Sequence, residues 1–255
     1  MKVAIVGYGF VGQATEYFLK SWLVEKLEIE IHDPVKGYNV TDWDNIEYSF
    51  ICVPTNLIDG KLDTSIIDNI LETLPIEQAI IRSTIGPDQC IKYANKGHVI
   101  MPEFLRERHW KEDVDDSDIP IVIGCNNCDN ILQWITRTKH AWYGNKKKVV
   151  VCSPLEASMI KMARNAALAV KVGLANDFNE ICDSLNMDYS VIKKFMQEDK
   201  NLGGTHWDVP GPDGLIGFGG TCLPKDLTHA STLCYNTLNI MKIAIEANTS
   251  RRNNE

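Results

Sequence analysis

The sequence lacks features that mark several common classes of protein. It has no run of about 18 apolar residues, so we expect no membrane span. Its formal net charge is −8, which argues against a general nucleic-acid binder because such proteins are usually basic. The N-terminus leads at once into a strand pattern, without the longer apolar core and cleavage site of a signal peptide. We therefore expect a cytoplasmic protein that engages neither membranes nor nucleic acid.

A full set of metal ligands is also missing. Cys125 and Cys128 form one C-x-x-C pair, but no second pair and no histidines stand at the spacing of a zinc site. We expect no metal, and we interpret this pair as two ordinary thiols in a loop. The other cysteines outside the glycine-rich loop described below are interpreted as reduced packing residues, namely Cys52, Cys90, Cys152, Cys182 and Cys234.

Short apolar runs alternate with helical patterns in the first part of the chain. The predicted strands are residues 3–6, 28–32, 48–53, 79–83, 98–101, 120–123 and 148–152. The predicted helices include residues 11–21, 65–74 and 130–140. This alternation predicts an α/β fold with a Rossmann-like parallel sheet that is covered by helices on both faces.

The pattern becomes helical after residue 152. Apolar residues recur at helical spacing over 154–185, a second helix is predicted over 190–198, and helical patterns resume after Lys225. Residues 200–220 contain seven glycines and two prolines, which predicts a long loop, and loops of this length are usually functional. We therefore divide the chain into a Rossmann-like domain, 1–152, and a helical domain, 153–255.

A glycine motif, G-Y-G-F-V-G, occupies residues 7–12. It follows the first predicted strand and opens a helix, and Asp33 stands 21 residues after Gly12 at the end of the second strand. This is the full context of a dinucleotide-binding site. The alternative is a glycine-rich turn that binds no ligand.

Each residue of this motif has a separate predicted role. Gly7 permits the tight turn, Gly9 lets the backbone approach a pyrophosphate, and Gly12 allows close packing of helix on strand. The helix that starts at Phe10 and Val11 offers N–H groups to the phosphates. Asp33 accepts hydrogen bonds from ribose hydroxyls and repels a 2′-phosphate, which favours NAD over NADP.

A second glycine-rich segment, G-F-G-G-T-C-L-P-K-D at 217–226, contains Cys222. A reactive cysteine needs a cation or a helix dipole that favours its thiolate. Lys225, or a helix that starts near Pro224, could supply it. The glycines let substrate and backbone approach closely, so we interpret Cys222 as a nucleophile.

The segment F-G-G-T-C-L-P-K-D at 218–226 resembles the nucleophile motif of the UDP-glucose/GDP-mannose dehydrogenase family. Other segments similar to that family occur in the same order: V-P-T-N at 53–56 with D-G-K-L-D at 59–63, R-S-T at 82–84, P-E-F-L-R-E at 102–107, and the helical pair Lys161 and Asn165. The resemblance implies an enzyme that oxidises a primary alcohol of a nucleotide-linked sugar, UDP-glucose by default, to a carboxylate with two NAD.

The resemblance also implies residue roles. Cys222 forms a thiohemiacetal and then a thioester, Lys161 and Asn165 stabilise the oxyanion, and Asp226 activates or orients water. Thr84 and Glu107 hold the water that accepts protons. Cofactor contacts fall on Gly7, Gly9, Phe10, Val11, Gly12, Asp33, Val53, Pro54, Thr55, Thr84 and Glu103. Substrate contacts fall on Glu103, Phe104, Leu105, Arg106, Lys161, Asn165 and Gly219.

The chain departs from the family in three places. The stretch between Asp33 and Tyr48 is shorter than in most members, and the family's D-x-R-I-G reads D-K-N-L-G at 199–203, without the arginine. Full members also continue into a second Rossmann-like domain beyond the position of Glu255. We therefore expect a short form that takes a simpler substrate, borrows nucleotide contacts from a partner chain, or binds NAD without turnover.

Two other functions remain open. A 3-hydroxyacid dehydrogenase of the 6-phosphogluconate type shares the Rossmann half and a helical Lys/Asn pair but needs no cysteine loop. A non-catalytic NAD-binding module is the other alternative. The family's long central helix forms a dimer core, so the resemblance implies a homodimer.

Overall fold

The computed structural model describes residues 1–22, 27–127, 129–136 and 147–253. The chain forms two compact units. The first comprises Met1–Asn56 and Asp63–Lys161, and the second comprises Leu57–Leu62 and Met162–Glu255. In the described ranges no helix has both the length and the apolar character needed to cross a membrane. The predicted division at residue 152 stays a prediction.

The elements follow one another along the chain in this order. The strands are β1 (Lys2–Val6), β2 (Glu28–His32), β3 (Ile46–Ile51), β4 (Leu57–Ile58), β5 (Lys61–Leu62), β6 (Ala79–Ile81), β7 (Val99–Ile100), β8 (Ile121–Gly124) and β9 (Val149–Cys152). The helices are α1 (Phe10–Trp22), α2 (Ser65–Thr73), α3 (Pro87–Ala94), α4 (Trp110–Asp115), α5 (Asp129–Thr136), α6 (Pro154–Ser184), α7 (Tyr189–Glu198), α8 (Leu223–Leu233) and α9 (Ile240–Asn253). The last residues of the helix predicted at 130–140 lie outside the described residues.

The first unit is built on a seven-stranded sheet in the order β2-β1-β3-β6-β7-β8-β9. The predicted Rossmann-like α/β fold is confirmed. The first five strands in this order, β2-β1-β3-β6-β7, pair in parallel. One neighbouring pair departs from the parallel arrangement, because β8 pairs antiparallel to β7 with Ile100 opposite Gly124. The connection before β8 contains a three-residue 3-10 turn and the six-residue helix α4, not the longer crossover helix that usually joins parallel neighbours.

The sheet is buried on both faces. Phe50 and Ile80 belong to one apolar cluster, while their neighbours Ile51 and Ile81 belong to a second. Successive side chains of a strand point to opposite faces, so β3 and β6 supply both clusters. Burial on both faces explains why these strands are continuous apolar runs in the sequence.

The second unit is organised around α6, the 31-residue helix that the sequence predicts. Ala166, Ala169 and Val172 pack against Phe218 and Leu227. The hairpin of β4 and β5, which the sequence does not predict, belongs to this unit. Its Leu62 N–H donates to Nδ1 of the fully buried His229 on α8 at 3.2 Å.

The central strand β6 gives a direct test of the core. Ile81→Ala should lower the free energy of unfolding by about 2–5 kcal/mol, because it leaves a cavity at a fully buried position. Ile91→Ala removes the same atoms from a position on α3 that is 45% exposed, where a change within about 0.5 kcal/mol is expected. Urea unfolding measures both, and equal losses would contradict this assignment of the core.

Candidate functional site

The glycines of the first loop have different structural causes. Gly7 has a φ of +88°, and a Cβ there would lie 2.8 Å from the carbonyl oxygen of Cys52. A Cβ on Gly12 would clash with the Gly7 carbonyl, whereas a Cβ on Gly9 would meet nothing within 4 Å. Gly7 and Gly12 are therefore required by the local packing, and Gly9 leaves the backbone open to an approaching group.

Asp33 holds this loop. Its Oδ2 accepts the Tyr8 N–H at 2.8 Å, and Lys36 Nζ donates to the Tyr8 carbonyl at 2.7 Å. Phe10 and Val11 lie in the first turn of α1, and this first turn carries no acidic residue. The N–H groups of that turn and the helix dipole therefore suit an anion. An open glycine, a helix N-terminus and a carboxylate at the end of β2 fit a dinucleotide.

The loops after β3 and β6 are joined by hydrogen bonds. The Ser83 hydroxyl donates to the Val53 carbonyl at 2.7 Å, and the Thr55 hydroxyl donates to the Thr84 carbonyl at 2.7 Å. The structure therefore brings together Thr84 and the segment of Val53, Pro54 and Thr55. Both loops leave the carboxyl edge of parallel strands, where α/β sheets bind their ligands.

Glu103 and Lys161 form a buried ion pair within the first unit. Lys161 Nζ donates to Glu103 Oε1 at 2.7 Å, and the two side chains are 4% and 3% exposed for Glu103 and Lys161. The Leu105 N–H donates to the other oxygen, Oε2, at 2.6 Å. Burial alone would raise the pKa of Glu103, but Lys161, Leu105 and Arg82 together lower it. Glu103 is therefore a carboxylate held in one orientation.

The other residues of the segment 102–107 differ in their burial and in their partners. Phe104 is buried, and the Arg106 guanidinium pairs with Asp113 at 2.6 Å. Asp113 also accepts the Arg106 backbone N–H at 2.6 Å, so this arginine is fixed at its main chain and its side chain. Glu107 is exposed in a 3-10 turn, Glu107–His109, and its predicted role with Thr84 stays a prediction.

Arg82 is a buried cation to which sequence reasoning assigned no role. Its side chain lines a small cavity together with Glu103, Asp113 and Lys147, and its Nε is buried without a hydrogen-bond partner among the described residues. Burial lowers the pKa of Arg82, and Glu103 opposes that shift. Arg82 therefore adds positive potential next to the Glu103 carboxylate.

In the second unit Asp226 is fully buried. Its Oδ2 accepts a hydrogen bond from Asn165 Nδ2 at 2.6 Å, and its Oδ1 accepts one from Lys225 Nζ at 2.6 Å. The sequence predicted Asn165 and Asp226 as site residues, and the structure brings them into direct contact. Lys225, which the sequence offered as a cation for the thiol, pairs with Asp226.

Cys222 immediately precedes α8. The Asp226 N–H donates to the Cys222 carbonyl at 3.0 Å and closes the first turn. The Thr221 hydroxyl lies 3.7 Å from Cys222 Sγ. Cys222 Sγ therefore lies at the N-terminal end of α8, where a helix presents backbone N–H groups. Gly219 is closely packed, since a Cβ there would lie 2.5 Å from Asp213 Oδ2.

The other cysteines follow the sequence interpretation only in part. Cys52, Cys90 and Cys182 are buried free thiols, as expected for packing residues. Cys234 is exposed, so that expectation is wrong, because Cys234 lies just beyond the last residue of α8. Cys125 is disulfide-bonded rather than an ordinary thiol, and Cys128 lies outside the described residues.

The buried ion pair predicts a dependence of stability on charge and pH. Glu103→Gln should cost about 3–5 kcal/mol in the free energy of unfolding, because the Lys161 ammonium stays buried without its partner. The lowered pKa of Glu103 contributes stability that is present above the unfolded pKa of about 4.3 and is lost as pH falls through the folded value. The variant should therefore lose less stability between about pH 5 and pH 3 than the parent does, as measured by urea unfolding at each pH.

Two controls separate this effect from general damage. The double variant Glu103→Gln, Lys161→Met should recover part of the loss, because no unpaired charge remains buried. Asp118→Asn breaks an exposed pair with Lys148, whose side chains are 70% and 85% exposed for Lys148 and Asp118, and should change stability by less than about 1 kcal/mol. An unchanged stability of Glu103→Gln would contradict the pair's importance.

Known proteins resemble this chain in sequence. Residues 155–250 match the family model described as UDP-glucose/GDP-mannose dehydrogenase family, central domain. The UDP-glucose 6-dehydrogenase of Rickettsia bellii is 29% identical over 252 residues, which are 91% of this chain and 56% of that protein. The UDP-glucose 6-dehydrogenase of Rickettsia felis is 31% identical over 254 residues, which are 92% and 55%. The chain therefore spans about half the length of these curated relatives.

A solved structure resembles the chain in fold. The UDP-glucose dehydrogenase of the archaeon Pyrobaculum islandicum superposes with a TM-score of 0.77 at 20% identity, over 98% of this chain and 68% of that one. The fold similarity covers 98% of the chain, and the match to the family model falls on α6 to α9 and the cysteine loop. The chain therefore resembles the central domain of the UDP-glucose/GDP-mannose dehydrogenase family over residues 155–250, and it resembles UDP-glucose 6-dehydrogenases in sequence over about nine-tenths of its length.

Proposed function

We propose that this chain is a cytoplasmic, NAD-dependent nucleotide-sugar dehydrogenase that oxidises a primary alcohol to a carboxylate through Cys222. One observation carries the proposal. Cys222 stands at the start of α8, and Asp226, one turn later, is fully buried and held by both Asn165 and Lys225. A buried carboxylate with two polar partners next to a helix-terminal thiol favours a site of covalent chemistry.

The first unit would hold the cofactor. Gly9 leaves room for a pyrophosphate, the first turn of α1 would donate N–H groups to it, and Asp33 would accept a ribose hydroxyl. The Asp33 carboxylate disfavours a 2′-phosphate, so NAD is proposed rather than NADP. NAD bound there would supply the hydride acceptor, with a fresh NAD molecule for each of the two oxidations. Val53, Pro54, Thr55 and Thr84 would contact it from the loops after β3 and β6.

In the first oxidation Lys161 would stabilise the developing charge, and Glu103 would hold Lys161 in position. The alcohol loses a hydride and a proton and becomes an aldehyde, and water held by Thr84 and Glu107 would take the proton. Lys161 would stabilise the negative charge that develops on the substrate oxygen, together with Asn165 one helical turn later. Glu103 would fix the ammonium of Lys161, since the two already form a close pair.

The second oxidation would need Cys222. Its thiolate adds to the aldehyde carbon to give a thiohemiacetal, loss of a second hydride gives a thioester, and water hydrolyses the thioester to carboxylate and free thiol. Asp226 would orient that water or accept its proton. Phe104, Leu105, Arg106 and Gly219 would line the sugar-nucleotide pocket. UDP-glucose is the default substrate, because the Rickettsia relatives are named UDP-glucose 6-dehydrogenases.

Turnover tests the proposal directly. The protein should form NADH, and NADPH far less readily, with one member of a panel of UDP- and GDP-sugars, and UDP-glucose is tested first. Cys222→Ala should lower carboxylate formation by at least about a thousandfold, because the aldehyde has no covalent acceptor. Absorbance at the NADH band and chromatography of the sugar product measure this.

Cys234→Ala is the matched control, since it removes an exposed thiol just beyond the other end of α8 and should leave turnover unchanged. Full carboxylate formation by Cys222→Ala would overturn the proposal. Oxidation of a 3-hydroxyacid with a single NADH per substrate would favour the 6-phosphogluconate type. Binding of NAD without NADH from any substrate would favour a non-catalytic module.

We further propose that the chain forms a homodimer through α6 and α7. Leu174, Phe178 and Ile181 lie on one face of α6 and are 37–48% exposed, while Ala169, Val172 and other residues of the helix face the core of this unit. On α7, Val191 and Phe195 are about two-thirds exposed, at 67% and 66%. Exposed apolar residues at helical spacing favour a protein interface.

Charge placed on this face should break the dimer. Phe178→Asp is expected to raise the dimer dissociation constant by at least about tenfold, since it buries an unpaired carboxylate at the centre of the stripe. Val35→Asp is the control, because Val35 is 97% exposed in the first unit and lies outside α6 and α7. Light scattering across a concentration series measures both, and a monomeric parent at micromolar concentration would contradict the homodimer.

A further inference from the structure

The loop before Cys222 has little regular structure of its own. Residues 199–222 contain no helix or strand, and this stretch leads directly into the thiol. A loop of this kind cannot be fixed by main-chain ladders, so its backbone N–H and C=O groups need other partners. The second unit supplies them from side chains on α6 and α9.

Asn248 on α9 binds both polar groups of one residue. Its Oδ1 accepts the Phe218 N–H at 2.7 Å, and its Nδ2 donates to the Phe218 carbonyl at 2.9 Å. The carboxamide therefore makes the same two hydrogen bonds to one residue that a backbone residue of a neighbouring antiparallel strand would make. Gly217 is part of the same fit, since a Cβ there would clash with Asn248 Oδ1.

Asn176 on α6 holds the preceding residue. Its Oδ1 accepts the Gly217 N–H at 2.9 Å, and its Nδ2 donates to the Val172 carbonyl at 2.7 Å. The side chain is buried, so its orientation is fixed by these two bonds. Because the side chain is buried, water cannot easily replace either hydrogen-bond partner.

Arg252 on α9 also binds the loop. One guanidinium NH2 group donates to Asp213 Oδ2 at 2.8 Å and to the Gly217 carbonyl at 3.1 Å. The N–H and C=O groups of both Gly217 and Phe218 are therefore bound by side chains from two helices. On the other side of the thiol, the Cys222 carbonyl is fixed by the first turn of α8.

We infer that Asn176 and Asn248 are positioning residues that set the place of the Cys222 thiol. Only residues 219–221 lie between the fastened Phe218 and Cys222, so an anchor on each side leaves the thiol little freedom. This inference rests on the proposed function for its catalytic consequence. The geometric claim, that the two amides hold Cys222 in place, can be tested without turnover.

The catalytic arm uses the order of the two oxidations. Cys222 takes part only after the aldehyde has formed, so a misplaced thiol should let aldehyde escape. Asn248→Ala should lower the ratio of carboxylate to released aldehyde by about tenfold or more, with hydroxylamine as the trap, because small misplacements of a reacting group cost this much or more. A variant that is merely less stable loses both products together and keeps the ratio.

The geometric arm measures alkylation by iodoacetamide, peptide by peptide, in the full chain. The ratio of the Cys222 rate to the Cys234 rate is taken in the folded protein and again in denaturant, where both thiols are unconstrained. The parent ratio should differ from the denatured one, and Asn248→Ala and Asn176→Ala should each move it at least about threefold toward the denatured value. The buried thiols of Cys52 and Cys182 report any general unfolding.

Two asparagines serve as matched controls. Asn179 on α6 donates to Asp183 near the surface. Asn239, just before α9, accepts the Lys242 N–H and donates to the carbonyls of Ser231 and Asn236. These hydrogen bonds go to residues other than Gly217 and Phe218, so Ala at either position leaves the loop anchored. If Asn248→Ala fails to fold, Asn248→Asp replaces it, because it keeps the acceptor for Phe218 and loses the donor. Unchanged alkylation ratios in the variants of Asn176 and Asn248 would overturn the inference. Absent turnover with shifted ratios would overturn only the proposed function.

Discussion

The buried ion pair between Glu103 and Lys161 is the constraint on which the first unit depends. A carboxylate and an ammonium this far from water are tolerated only when their geometry satisfies both. The pair therefore fixes the first turns of α6 against the segment that follows β7, and the Leu105 N–H fixes that segment in turn. The second unit repeats the solution with Asp226, which is fully buried between Asn165 and Lys225. In each unit, the residues proposed for catalysis also set the local packing.

Polar side chains from helices and strands also hold the loops to which the chemistry is proposed to belong. The glycine loop is tied by Asp33 and Lys36, the loops after β3 and β6 are tied to each other, and the cysteine loop is tied by side-chain amides. None of these segments has a ladder of its own, so polar side chains from rigid elements replace it. Reacting groups placed in this way need little reorganisation when substrate binds, which is the condition for electrostatic catalysis.

Local patterns in the sequence predict much of this arrangement. The glycine motif with Asp33, the full length of α6, and the long loop before Cys222 all follow from spacing and composition. The reversed strand β8, the hairpin of β4 and β5, and the pairing of Arg106 with Asp113 do not, because they depend on contacts between distant residues. Asn176 and Asn248 were missed for the same reason. An asparagine in a helix usually faces solvent, and only the folded loop shows what these two bind.

Cys222 is proposed to form a covalent intermediate during the second oxidation. Rapid quenching in acid during steady turnover with NAD and the preferred nucleotide sugar, followed by intact-protein and peptide mass spectrometry, tests it most directly. A substrate-derived adduct on the Cys222 peptide should appear within the first turnover and decay when substrate is exhausted. Steady formation of carboxylate, with two NADH per sugar and no adduct on that peptide at any quench time, would contradict it.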